Sequence, residues 1–353
     1  MLFLKSLPAN RLARTNFLWP DQVGAIVEST TWNPERICGS GLHGLINGEG
    51  DTGLLCHEND AVWYAFESVD EHGNPSDAET ANIDDEKGKC HRAIIRAVGT
   101  RAEATEWLVR QGCKHVPYAS IIADDMDIAV GKDSAVITGN SNSVELDEAC
   151  RAIAGTGCNI TANDGAVSLI THDDTILELN NADRAIVNNG AEITGEDSNQ
   201  VVAKNKAVIK LRDYSDIICG RSGQIDSGDD SRVILGPHSV ATLDRGSVGI
   251  AEYDSELTGS NHTTLVAGGK SSVLTENYGV AIVTGDSGKA RCSYFGVAIA
   301  NQNGLVAGDD GSVLVLRNKQ YKPVVAIVGQ NGIKRDTYYR LDDNDQFLEA
   351  PVP

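Results

Sequence analysis

Aromatic residues are few: four Trp, nine Tyr and five Phe among 353 residues. A conventional core of that size uses more of them, so much of this chain must pack in another way. Basic residues are also in deficit, 30 against 50 acidic ones, for a formal net charge of -20. That balance argues against a clustered basic face for phosphate contacts, and no direct nucleic-acid binding is expected. It leaves room for a basic protein partner. No run of about 18 apolar residues occurs, so no membrane-spanning helix is expected. The opening MLFLKSLPANRLAR sets Lys5, Arg11 and Arg14 directly after a short apolar stretch and does not read as a signal peptide. The eight cysteines form no disulfide framework and no Cys-x2-Cys pair. Reduced thiols in a cytoplasm are the expectation.

What is abundant is glycine, 36 residues, and a period of eight. Ser231, Ser239, Ser247 and Ser255 mark it most openly. Cut from Lys132, the chain falls into 23 octads ending at Val315, among them GDDSRVIL, GPHSVATL, DRGSVGIA and EYDSELTG, with no insertion needed. The fourth position is Ser, Gly, Ala, Thr or Asn in 19 of 23, and the sixth is Ala, Val, Ile or Leu in 19 of 23. A short strand plus a polar turn takes about eight residues. Chained strand-turn units make a β-solenoid in which each rung bonds to the next. The small fourth and aliphatic sixth columns lie two apart, on one face of a strand, and are expected to fill a narrow interior. Tyr214, Tyr278 and Tyr294 share the third column at separations of 64 and 16. Those separations predict two octads, 16 residues, per coil, and the three tyrosines are candidates for an interface. Roughly 11 coils at ~4.8 Å per rung would run about 55 Å.

The fold class expected is therefore mainly β. A small α+β head occupies residues 1–131, the octad solenoid 132–315, and a β tail 316–353. In the head, GTRAEATEWLVRQG reads as a helix with Ala104, Trp107 and Leu108 on one face and Gly112 as its C-cap. The acidic stretch 76–90 reads as an exposed loop. In the tail, YKPVVAIVG reads as a strand. Head and tail are expected to cover the open sheet edges at the two ends of the solenoid.

Candidate chemistry lies in the head. Cys38 and His43 stand at a workable spacing for zinc, but the adjacent pairs Cys56-His57 and Cys90-His91 would diverge on a strand. No metal and no cofactor is expected. GSGLHGLINGEGD lacks both the Walker ending and a dinucleotide fingerprint and reads as a tight turn. The sharper reading is a nucleotide-binding loop with His43, Tyr64 and Glu67 as site residues. Cys113 with His115 could form a thiol pair. The acidic solenoid turns lack the period of nine found in calcium-binding solenoids.

Two resemblances add to this. Octad pairs such as ENYGVAIVTGDSGKAR and RDYSDIICGRSGQIDS resemble the repeat of bacterial ice-nucleation proteins, which implies a 16-residue coil. The Thr-x-Thr ladders associated with ice organisation are replaced here by Val, Ile, Asp, Lys and Glu, so the fold carries over and the activity does not. The CGSGLHGL head, the octads and the VVAIVGQNGI tail together resemble a group of phage and actinobacterial proteins. That resemblance implies a phage origin and no particular activity.

The functional expectation is a non-enzymatic, phage-encoded scaffold in the host cytoplasm that binds a protein partner or a second copy of itself, often to block a host or defence protein. One alternative is an acidic DNA mimic, since residues 132–315 hold 25 acidic and 13 basic side chains. The other is a nucleotide- or metal-using enzymatic head on a passive solenoid.

Overall fold

The computed structural model describes residues 1–13, 16–116, 118–121, 123–131, 135–163 and 165–351. Lys132, where the octad frame begins, and the two residues after it lie outside the described residues. The protein is mainly β, with a β-solenoid of about 12 turns and ~16 residues per coil between residues 120 and 316. The chain divides into two compact units, Met1–Ser168 and Leu169–Pro353.

The first unit holds the head. Its strands are β1 (Leu2–Leu7), β2 (Ile26–Glu28), β3 (Leu42–Ile46), β4 (Val62–Ser68), β5 (Thr80–Asn82), β6 (Lys87–Cys90) and β7 (Arg92–Gly99). They form one sheet in the order β2-β7-β4-β1-β3-β6-β5, and every pairing in it is antiparallel. The stretch 76–90 is thus not an open loop: β5 and β6 pair as a hairpin that extends the sheet beyond β3. Alternation along β1 and β4 sends Phe3, Tyr64 and Phe66 into one core with Trp19. Phe3 stacks on Phe66 at 4.9 Å, and Trp19 lies 5.3 Å from Tyr64.

The helix α1 spans Arg101–Arg110. It starts at Thr100 because a capping box closes there: the Thr100 hydroxyl accepts from Glu103 N, and Glu103 accepts from Thr100 N. It ends at Gln111, followed by Gly112 in the left-handed region, as the sequence suggests. Its buried face is Ala104, Thr105, Leu108 and Val109, with Trp107 only partly covered. This face lies over the first rung of the solenoid. Ser120 N donates to Thr105 Oγ1 at 3.2 Å, and Ala123 N donates to Glu106 Oε2 at 3.4 Å. The solenoid therefore begins near Ser120, ahead of the expected start at residue 132.

The coils alternate four-residue strands between two parallel sheets. Partners stand one coil apart, as in Arg232↔Val248 and Val240↔Glu256. Three residues per octad point inward rather than two. In GDDSRVIL these are Ser231, Val233 and Leu235, the fourth, sixth and eighth positions, while Arg232 and Ile234 point out. From Ala166 to Tyr278 the third position of the octads adopts a left-handed conformation, at φ 60 in Lys206, 58 in Tyr214 and 60 in His238. That residue turns the chain, and its N–H bonds to the next coil: Tyr214 N donates to Asp229 O at 2.9 Å.

The octads are not unbroken. In the first unit Asn159–Ala162 is followed by a strand at Ser168, a step of nine. In the second, Ser272 pairs with Lys289 and Val280 with Val297, steps of 17. The extra residue there falls in the turn at Thr284–Ser287, where the composition is already that of a turn and an insertion disturbs no inward column. In the second unit, the last strand of each sheet is covered by antiparallel tail segments. Pro323–Ile327 pairs with Val313–Arg317, and Tyr339 bridges to Val306.

Candidate functional site

The head residues do not converge. β3 sets Leu45 opposite Leu4, whereas β4 sets Tyr64 opposite Lys5, so alternation turns His43 and Tyr64 to opposite faces of the sheet. Tyr64 is fully buried in the aromatic core, and burial pushes its phenol up to about 12. Glu67 is held by Arg96, at 2.8 Å from Nε and 2.6 Å from Nη2. Burial, and then Lys5, Lys87 and Lys89 nearby, bring His43 down to about 4, so its imidazole is neutral at pH 7. The glycine-rich stretch builds β3 and the turn after it. A Cβ on Gly44 would stand 2.9 Å from Phe66 Cζ and Leu4 O, so this position requires glycine for close packing.

The cysteines are dispersed as well. Cys38 is exposed and accepts from Lys87 Nζ at 3.4 Å. Next to it Lys89, fully buried, donates to Ile37 O at 2.9 Å and lies over the Trp32 ring. Cys56 N donates to Ser6 Oγ, and His57 packs edge-on against Trp63 and Tyr118. The Cys90 thiol is pushed up to about 12 by burial, while His91 is held between Glu28 and Glu79. Burial pushes Cys113 up to about 11, which keeps it a thiol, and His115 N is committed to Ala129 O. Among the described residues no group of three or more His, Cys, Asp or Glu could hold a metal ion.

The serine column is structural. Ser231, Ser239, Ser247 and Ser255 are all buried. Gly223 N donates to Ser239 Oγ at 3.2 Å, Ser231 N to Ser247 Oγ at 3.0 Å, and Ser239 N to Ser255 Oγ at 3.3 Å. The hydroxyls donate in turn to carbonyls, as Ser239 Oγ does to Gly236 O at 2.8 Å. A buried turn leaves backbone N–H groups that strand pairing cannot satisfy, and a small hydroxyl satisfies them without filling the interior.

The candidate interface tyrosines sit at corners. Tyr214 and Tyr278 are both left-handed and exposed. Because of the inserted residue, Tyr294 leaves that column and Phe295 takes its place. Tyr278 stacks between His262 at 5.2 Å and Phe295 at 5.8 Å. The rings of His262, Tyr278 and Phe295 cover one another, so this part of the row presents edges rather than open faces.

The feature that sequence reading missed is the seventh column. On one sheet of the second unit it is aliphatic at each successive rung. Ile186 pairs with Val202, Val202 with Ile218, and Ile218 with Ile234. Ile234 pairs with Ile250, then come Val266, Ile282, Ile299 and Val315. All of them point outward; those from Ile186 to Ile250 are 44–55% exposed, and Val266, Ile282, Ile299 and Val315 are partly covered. The fifth column beside it begins polar, with Arg184, Gln200, Asp216 and Arg232, and continues as Val248, Thr264, Val280, Val297 and Val313. The other sheet is mostly polar at the corresponding strand position, with Glu178, Thr194, Lys210, Asp226, Thr242 and Thr258 followed by Leu274, Arg291 and Ala307. It exposes Ile176, Val208 and Val240 only at alternate rungs, with polar residues between. The signal was in the sequence at a period of 16: pooling both octads of a coil mixes an aliphatic column with a polar one.

The acidity is placed in the turns. Asp197 N donates to Asn181 Oδ1, Asp213 N to Asp197 Oδ1, and Asp229 N to Asp213 Oδ1. These side chains bond rung to rung. Arg212 pairs with Glu196 at 2.6 Å and Arg245 with Asp229 at 3.3 Å, so cations interrupt the acidic row. No helix is long and apolar enough to cross a membrane among the described residues. No family model, curated protein or solved structure matches the chain.

Proposed function

We propose that this chain is a non-enzymatic scaffold that binds protein through the aliphatic face of its solenoid. The single observation that carries this reading is the outward row from Ile186 to Val315, aliphatic at every rung without a break, on a chain of net charge -20. Exposed contiguous apolar patches of several hundred Å² mark interaction sites. The phage origin, the host cytoplasm as location and the blocking of a host or defence protein rest on the resemblance of the head and tail motifs alone. Against the DNA-mimic reading stands the pairing of turn carboxylates with Arg212 and Arg245, which breaks the continuity of negative charge. Against the enzymatic-head reading stands the separation of His43 from Tyr64 by the sheet.

Affinity capture from an infected or host lysate tests the reading when three baits are compared: the parent chain, Ile218→Lys with Ile250→Lys, and Thr242→Lys on the other sheet. A protein recovered by the parent and Thr242→Lys but lost with the double variant supports the docking face. A partner retained by the double variant overturns it.

A further inference from the structure

We infer that the aliphatic face is the contact between two copies of this chain, joined face to face. The inference rests on the docking-face reading and names its occupant. Three features of the second unit carry it.

The first is spacing. The row is a ladder of branched side chains, one per rung, and rungs in a parallel sheet repeat every ~4.8 Å. A surface that matches such a ladder over its whole length must have the same repeat. A second copy has it, and an isologous contact between identical faces closes on itself without leading to a filament. Rows of Ile and Val from the two copies then interdigitate as they do between the sheets of a β-sandwich.

The second is area. Ten strands, from Arg184–Val187 to Pro323–Ile327, make up this face in the second unit. At ~4.8 Å by ~13 Å per strand they present about 600 Å² per copy, or about 1,200 Å² in all. That reaches the lower edge of the range for stable, specific protein interfaces, about 1,200–2,000 Å².

The third is charge. A chain of net charge -20 repels its own copy. Between Arg184 and Val315 this face carries only Arg184, Asp216 and Arg232 as outward charges, and Arg232 lies 3.9 Å from Asp216. The opposite sheet carries seven outward charges, Glu178, Glu192, Asp226 and Glu256 with Lys210, Lys289 and Arg291. Of the two sheets, the aliphatic face is the one on which two copies meet with the fewest charges to strip of water. Its strands end under the antiparallel tail strand Pro323–Ile327, so backbone pairing does not compete with face-to-face packing at that end.

Sedimentation equilibrium on the full chain tests this. The parent is expected at twice the chain mass of 37.5 kDa at micromolar concentration. Ile218→Lys with Ile250→Lys is expected at the chain mass, with an unchanged far-ultraviolet circular dichroism spectrum. Thr242→Lys is expected to remain dimeric. Ile250→Thr, a milder change, is expected to weaken dimerisation at least tenfold, and it serves if the double variant fails to fold. A parent that stays monomeric overturns the inference. The docking-face reading survives that outcome if the lysate partner still depends on Ile218 and Ile250. A dimer that persists in the double variant overturns the assignment of the face.

Discussion

Ile234 lies directly opposite Ile250 on neighbouring rungs of one sheet, and both side chains point outward, 49% and 46% exposed. The chain neighbours of Ile234, Val233 and Leu235, point inward and are almost fully buried. The same aliphatic chemistry thus stands on both sides of one thin sheet. Inside, it holds the coil together. Outside, it contributes less to the fold of the single chain, because each of these side chains keeps about half of its contact with water.

This separates two neighbouring substitutions. Val233→Thr places a hydroxyl in the interior and is expected to destabilise by about 1–3 kcal/mol. Ile234→Thr, one residue on, is expected to change stability by less than about 1 kcal/mol, since surface changes are usually small. Urea unfolding at a concentration low enough to keep the chain monomeric measures both. Equal losses would mean that the faces are assigned wrongly.

The serine ladder makes its own demand. Ser239→Ala leaves the buried Gly223 N–H without its acceptor and is expected to cost about 1–3 kcal/mol. Ser239→Phe and Ser247→Phe overfill the interior and are expected to cost at least about 1–3 kcal/mol. If these variants melt with the parent, the column does not face the interior.

The coil was legible because its constraint repeats. Every eighth residue meets the same narrow interior, so the small column at Ser231, Ser239 and Ser247 stands out of a single sequence. The aliphatic face was less legible because its constraint repeats every 16 residues and only on one sheet: Ile218 and Ile234 share a face, while Asp226 between them belongs to the other. The inserted residue near Ser287 was hidden because turn residues substitute freely, and it carried Tyr294 out of the column that Tyr278 occupies. In the head, nothing repeats. The burial of Tyr64 and the separation of His43 from it depend on strand order, which one sequence does not display.

The left-handed corners carry a removable strain. Ala182 and Lys206 hold φ of 61 and 60 with a Cβ in place. A left-handed residue other than glycine costs roughly 1–2 kcal/mol, partly offset by the extra freedom of glycine in the unfolded chain. Ala182→Gly and Lys206→Gly are each expected to raise stability by about 0.5–1 kcal/mol. Thermal unfolding of the single and combined variants checks this, and a loss of stability would mean that these side chains make contacts that outweigh the strain.

His43 gives the head a pH dependence of defined sign. Its folded pKa, about 4, lies below the ordinary 6.5, so between those values the unfolded chain binds the extra proton. Stability therefore rises with pH across that window. The contribution is present in full above about pH 6.5 and is withdrawn as the pH falls towards 4. Partial access to solvent moderates its size. Carboxylates also titrate near the lower limit, so the informative quantity is the difference between the parent and His43→Gln in urea midpoint from pH 7 to pH 4.5. The two are expected to converge as the pH falls. Parallel curves would exclude His43 as the titrating group.

The tail strands protect the sheets on which they end. Val313–Arg317 is the last parallel strand of the aliphatic sheet, and the antiparallel strand Pro323–Ile327 bonds along its outer edge. On the other sheet, Leu305–Gly308 is bridged by Tyr339. Ending the chain at Asn318 would leave both rungs with unpaired backbone N–H and C=O groups at the repeat spacing of a parallel sheet, a ready template for other strands. The truncated chain is expected to keep its coil signature in circular dichroism but to assemble end to end, with light scattering that grows with concentration and time. Lysine substitutions on the aliphatic face would leave that assembly intact, because it uses edges and not faces. A truncated chain that stays as dispersed as the parent would show that the last rungs protect their own edges.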